Sequence, residues 1–266
     1  MWSRYDNAAG LCAWSADTGI IVAMTAAVTV LRSEERLLTT TDWLRSRHGF
    51  SFGDHYDPDN THHGVLLVQN DEIVQPGQGF DTHPHRETEI VTWVLDGSLV
   101  HQDSQGHSGV VYPGLAQRMS AGTGIEHSER NDRVEAPATP VHYIQMWVLP
   151  DETGADPGYE QREIGAELAG GELIALASGD PAHDSAIRIR NAAATLWVAR
   201  PPAGAAIALP RARFTHLLVT RGRVAAAGTE LSAGDTLRAG DLGGEPVRAV
   251  TDAEILVWAM NSALGE

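Results

Sequence analysis

Cysteine is almost missing: Cys12 is the single one in 266 residues. That excludes intrachain disulfides and any zinc cluster built on thiolates, and it suits a reducing cytoplasm. Long apolar runs are missing too. Nothing approaches 18 uninterrupted apolar residues, so no membrane span is expected. Basic runs are absent as well. The chain carries 19 Arg and Lys against 35 Asp and Glu, a net charge of −16, with a pI near 5.1. Such a field repels phosphate backbones and anionic headgroups, so neither nucleic acid nor a membrane surface is an expected direct partner. The opening residues have no basic segment leading into an apolar one, so no signal peptide is read there. Residues 1–23 show neither strand alternation nor a helical stripe. "MTAAVTVLRSEERLL" looks like a natural beginning, so translation from Met24 is the expectation and 1–23 is read as a disordered or misassigned leader.

What remains is ordinary globular composition, 42% hydrophobic and 20% charged, which is enough to bury a core. From about residue 29 the chain reads as short β-runs broken by turn residues: "GVLLVQNDEIV" (64–74), "EIVTWVLDGSLVHQD" (89–103), "GVVYPG" (109–114) and "VHYIQMWVLP" (141–150). Asp96-Gly97 sits between two apolar alternations and signals a hairpin; "SQGHSG" and "SAGTG" mark further turns. Strands at this spacing with few helical stripes mean an antiparallel sandwich or barrel. A polar, Gly- and Pro-containing stretch, 151–164, reads as a connector. A second β-rich set of similar size follows it. The expected architecture is all-β: two tandem β-barrel domains, 24–150 and 165–266.

Histidine is unevenly spread. Ten of twelve lie between His48 and His142, so a single metal site would belong to the first domain. In an extended strand, residues i and i+2 share a face, so His83 and His85 of "HPH" can offer two imidazoles to one point. Pro84 cannot donate to a ladder and suits an edge strand. In "GIEHSERN" (124–131), His127 and Glu129 form a second i, i+2 pair. Three imidazoles and a carboxylate leave open positions on a divalent ion, which suits Fe(II), Mn(II), Ni(II) or Cu(II) better than a closed structural zinc. His62 and His63 read as members of a solvated loop, and His107 as a turn residue. His101 and His142 read as barrel histidines satisfied by neighbours, and Arg118 and Arg130 as ordinary ion-pair partners.

"GFDTHPHRETEIVTWVLDGSLVHQD" followed by "QRMSAGTGIEHSERN" resembles the pirin family, bicupin proteins of the cupin superfamily. "HGFSFGDHYDP" (48–58) and "YEQREI" (159–164) also resemble family blocks. The resemblance covers roughly residues 30–165; the remainder matches in length and texture only. It implies two jelly-roll cupin barrels, with His83, His85, His127 and Glu129 at the positions of the family's metal ligands and no ligands in the second barrel. Fe(II) is the implied metal, with Mn, Ni, Cu, Co and Zn as alternatives. By the same resemblance the implied activity is that of a quercetin 2,3-dioxygenase, with a flavonol and dioxygen as partners and Glu129 as the base. The rival implication is a metal-sensing protein that regulates a transcription factor or metabolic enzyme. Glu89 shares strand parity with His83 and His85 and is read, with Arg86 and Trp93, as a candidate to steady the ligands. A monomer is the expected state.

Overall fold

The computed structural model describes residues 28–134 and 138–266; Cys12, Met24 and the leader expected at 1–23 lie outside them. Among the described residues the regular structure is almost wholly strand, with only two 3-10 turns, Ser33–Glu35 and Glu167–Gly170. Each half pairs a seven-stranded sheet with a four-stranded one.

In the first half the larger sheet runs, in spatial order, Gly158–Glu163, Leu115–Ser120, Glu89–Asp96, Val141–Val148, Leu66–Val74, Leu44–His48 and Leu37–Thr40. The smaller runs Gly79–His85, Ile125–Arg130, Leu99–Asp103 and Ser108–Val111. The second half repeats the plan. Its larger sheet centres on Ala212–Arg221 and Glu254–Met260, and its smaller on Pro246–Ala249 and Arg223–Ala226. The spacing of the strands predicts such antiparallel sandwiches, and the double jelly-roll is what the family resemblance implies.

Two segments depart from the predicted division of the chain. Val28–Leu31 pairs with residues 236–239, in the larger sheet of the second half. Residues 158–163, expected within the connector, form a strand in register against 115–120. The polar text of that segment belongs to an edge strand: Tyr159 packs inward, while the final residues face solvent, as edge strands commonly do. Asp96-Gly97 is another departure. Its flanking strands do not pair with each other; the turn carries the chain from the larger sheet to the smaller. Gly97 has φ 80° and lies so close to Pro140 that a Cβ would stand 2.8 Å from its carbonyl oxygen, so the residue that signals a hairpin is needed here for a crossing between layers. "SQGHSG" does close a hairpin, with Asp103 Oδ1 accepting the amides of Gln105 at 2.9 Å and His107 at 3.0 Å.

The largest apolar cluster lies between the halves: Phe50, Trp93, Leu95, Ile144 and Met146 meet Leu176, Leu196, Leu218 and Trp258. Polar bonds pin it. Trp93 Nε1 donates to Glu254 Oε1 at 3.1 Å, and Arg200 and Thr220 bond the same carboxylate at 2.6 and 2.8 Å. His63 also belongs to this seam, with its ring nitrogen 3.1 Å from the Thr215 carbonyl oxygen, so the solvated-loop reading suits exposed His62 but not its neighbour.

Candidate metal centre

The smaller sheet of the first half delivers the histidines. His83 and His85 project from one face of Gly79–His85, and the antiparallel register sets His127 directly opposite His83 and Ile125 opposite His85. An irregularity between His127 and Glu129 shifts the pairing, placing Glu129 opposite Phe80. The strands meet so closely there that a side chain at Gly79 would strike the Glu129 carbonyl and the Arg130 backbone. The i, i+2 rule therefore survives on both strands, and His127 and Glu129 are both buried inside the barrel.

The ligating atoms of His83, His85 and His127 lie within 4.8 Å of one another. His127 Nε2 is 3.1 Å from His83 Nε2. His83 Nδ1 lies 2.7 Å from the Asp81 carbonyl oxygen; a carbonyl only accepts, so Nδ1 carries the proton and Nε2 keeps its lone pair. His85 Nε2 is buried with no hydrogen-bond partner. A buried orphan nitrogen beside the lone pair of His83 Nε2 is a costly arrangement unless a cation accepts the lone pairs. The donor set fits a divalent ion held by nitrogen and oxygen.

Glu129 approaches from the other side of His127. It shares a second group of the same tightness with His127 and His101, and Gln145 Nε2 donates to its Oε2 at 2.7 Å. The four residues of "HPH" and "HSE" are thus joined through His127, which belongs to both groups. His101 is the residue that sequence reasoning passed over. It is satisfied as expected, with Nε2 3.2 Å from Asp103 Oδ2, yet its Nδ1 stands 3.5 Å from His127 Nδ1. The signal was present: "HQD" is a third histidine two residues from an acid.

The three residues expected to steady the ligands do not do so. Glu87, at φ 51°, turns the chain between the strands that carry His85 and Glu89, so strand parity does not carry across. Odd-numbered positions of 89–96 face the second half. Glu89 accordingly accepts from Ser120 Oγ at 2.7 Å and from the Arg190 amide at 3.2 Å, and Trp93 lies in the seam. Arg86 is 73% exposed in its side chain and stands at the rim of a cleft of about 420 Å³ that Pro84, His85, Thr123 and Ile125 also line. The larger sheet instead supplies the polar neighbours. Gln117, Thr92, Gln145, Asn70 and His48 lie in register across it. Glu72 lies one row away, bonded by Ser46 at 3.1 Å. "LVQNDEIV" hid them, because the strand was read for its apolar residues.

Electrostatics favour neutral imidazoles. Burial first, then the neighbouring rings, pushes His85 down to about 4 and His127 down to about 3. Burial, then Arg238, pushes His63 to about 4 and His216 well below its ordinary value. Burial raises Glu72 to about 7. An unfolded histidine takes a proton near pH 6.5 that these folded ones refuse, so each loses stability for the fold as pH falls below that value. Glu72 acts oppositely, favouring the fold below about pH 4.5 and losing that contribution as pH rises through about 7. Burial also lowers His48 and raises Glu89, so five histidines stand against two carboxyls and give the sign: the urea midpoint of metal-free protein should fall between pH 6.5 and pH 4. A midpoint that is flat or rises over that interval would contradict these assignments.

A double jelly-roll with a nitrogen-rich cluster inside its first barrel defines a bicupin. The Pirin family model matches residues 23–148, and the chain belongs to the pirin family. It is 35% identical over 228 residues to the quercetin 2,3-dioxygenase of Escherichia coli (strain K12), covering 85% of this chain and 96% of the relative. A Mycobacterium tuberculosis protein (strain ATCC 25618 / H37Rv), provisionally named a quercetin 2,3-dioxygenase, is 54% identical over 244 residues, covering 91% of this chain and 99% of that one. Among solved structures, YhhW from E. coli superposes with a TM-score of 0.82 at 32% identity, over 90% of this chain and all of that one. The structure described as bacterial pirin YhhW in complex with nickel(II) superposes at 0.79 and 33% identity, over 89% of this chain and 100% of that one. Relatives and His/Glu cluster together point to a divalent metal. No helix among the described residues is long and apolar enough to cross a membrane.

Proposed function

We propose that the chain is a metal-dependent dioxygenase that opens a flavonol such as quercetin, with His83, His85, His127 and Glu129 holding one divalent ion, Fe(II) in the first instance. The buried, unpartnered Nε2 of His85 beside His83 and His127 is the observation that carries this reading. The names of the relatives support the substrate class. When bound, the ion supplies a positive charge that favours the deprotonated flavonol oxygen.

The remaining work falls to the protein. Glu129, held by Gln145, accepts the flavonol 3-hydroxyl proton. Trp147 stands edge-on to His85, with ring centroids 4.8 Å apart, and Phe52 lies 5.6 Å from Trp147. These rings, set edge to face at 77°, place aromatic surface beside His85 that suits an aromatic substrate. The cleft beside His85 is of a size typical of small-molecule sites. The overall change consumes one flavonol and one dioxygen and yields a carboxylic ester and carbon monoxide. Carbon monoxide released in equal amount to quercetin lost is the expected result. Quercetin loss without carbon monoxide would sink this activity.

A further inference from the structure

We infer that Gln145 is a positioning residue for Glu129, an inference that rests on the metal reading above. The amide of Gln145 is held at both ends. Trp147 Nε1 stands 3.1 Å from Gln145 Oε1, and an indole nitrogen can only donate. That bond fixes which end of the amide is oxygen and leaves Nε2–H facing Glu129 Oε2 at 2.7 Å. The flipped amide would set NH2 against N–H at the half-buried Trp147 end and carbonyl against carboxylate at the buried Glu129 end, where such mismatches are costly.

The consequence is an assignment of atoms. Oε2 of Glu129 is committed to the amide, so Oε1 is the oxygen left to meet an ion or take a proton. Trp147 adds a second restraint, because the same indole that orients Gln145 lies against the His85 ring. Two residues at i and i+2 on Val141–Val148 therefore fix one proposed ligand on each of two strands in the facing sheet, His85 on Gly79–His85 and Glu129 on Ile125–Arg130. Neither has to touch the ion to set its geometry.

The test is Co(II) binding to the full-length protein, read by competition titration and by the visible ligand-field spectrum, which reports ligand number and geometry independently of turnover. Gln145→Leu should weaken Co(II) roughly ten- to a hundredfold and shift the spectrum, with far-UV circular dichroism unchanged. Trp147→Phe keeps a ring against His85 but removes one of the two restraints on the amide, so it should move both readouts in the same direction by less; it also serves if Gln145→Leu fails to fold. Affinity and spectrum identical to wild type in both variants would overturn the positioning role while leaving the metal site standing. Wild-type protein that takes up no Co(II) would overturn the metal reading, and the positioning role with it.

Discussion

Glu129→Gln should reduce flavonol turnover by at least about a hundredfold and leave the fold intact. The substitution keeps shape and volume, so the buried position packs as before. It removes the carboxylate that, among the described residues, shares a ligand group with His127. The new amide must turn its oxygen toward the Gln145 N–H, because the alternative opposes two NH2 groups. Its own NH2 then points where Oε1 pointed. A donor there can neither accept the substrate proton nor face a cation. Retained turnover would move the base elsewhere, and the structure names the successor. Glu72 is fully buried in the same interior, with burial holding its carboxyl at about 7, whereas Glu89 faces the other half of the molecule and is occupied by Ser120 and Arg190.

His127→Ala should lower metal affinity by on the order of a hundredfold or more, beyond what loss of a supporting hydrogen bond produces. His127 is the one residue common to both groups of candidate ligands. Its removal separates His83 and His85 from Glu129 as well as deleting a nitrogen. Burial also matters: the side chain is 1% exposed, and the methyl that replaces the ring offers no lone pair in a space that water enters poorly. Equilibrium dialysis followed by elemental analysis checks the outcome. Full occupancy in the variant would mean that the ion sits on residues other than these, and His101 would then need the same test.

The pattern of legible and illegible features follows from what periodicity can carry. "HPH" and "HSE" were readable because each pair lies within one strand, where spacing of two fixes the face. Glu89 and Trp93 do not reach the ligands because the spacing rule stops at the turn at Glu87, where the strand ends and the sheet changes; Arg86 stands next to the motif in sequence, but its side chain is turned to solvent. Gln145 and Glu72 were invisible for another reason. Their roles arise from registers between Val141–Val148, Leu66–Val74 and the facing sheet, across sequence separations of 16 residues for Gln145 with Glu129 and 26 for Ser46 with Glu72. No local pattern records such a meeting. The edge strand 158–163 was hidden by its own polarity, and the seam between the halves by the apolar character that both faces of Glu89–Asp96 share.

The most direct test of the proposed activity is aerobic quercetin consumption by protein whose bound metal has been quantified, across preparations ranging from metal-free to one ion per chain. Turnover should rise in proportion to occupancy and vanish in a His83→Ala, Glu129→Ala protein. No turnover at full occupancy would contradict the dioxygenase reading and leave a metal-binding pirin without this activity.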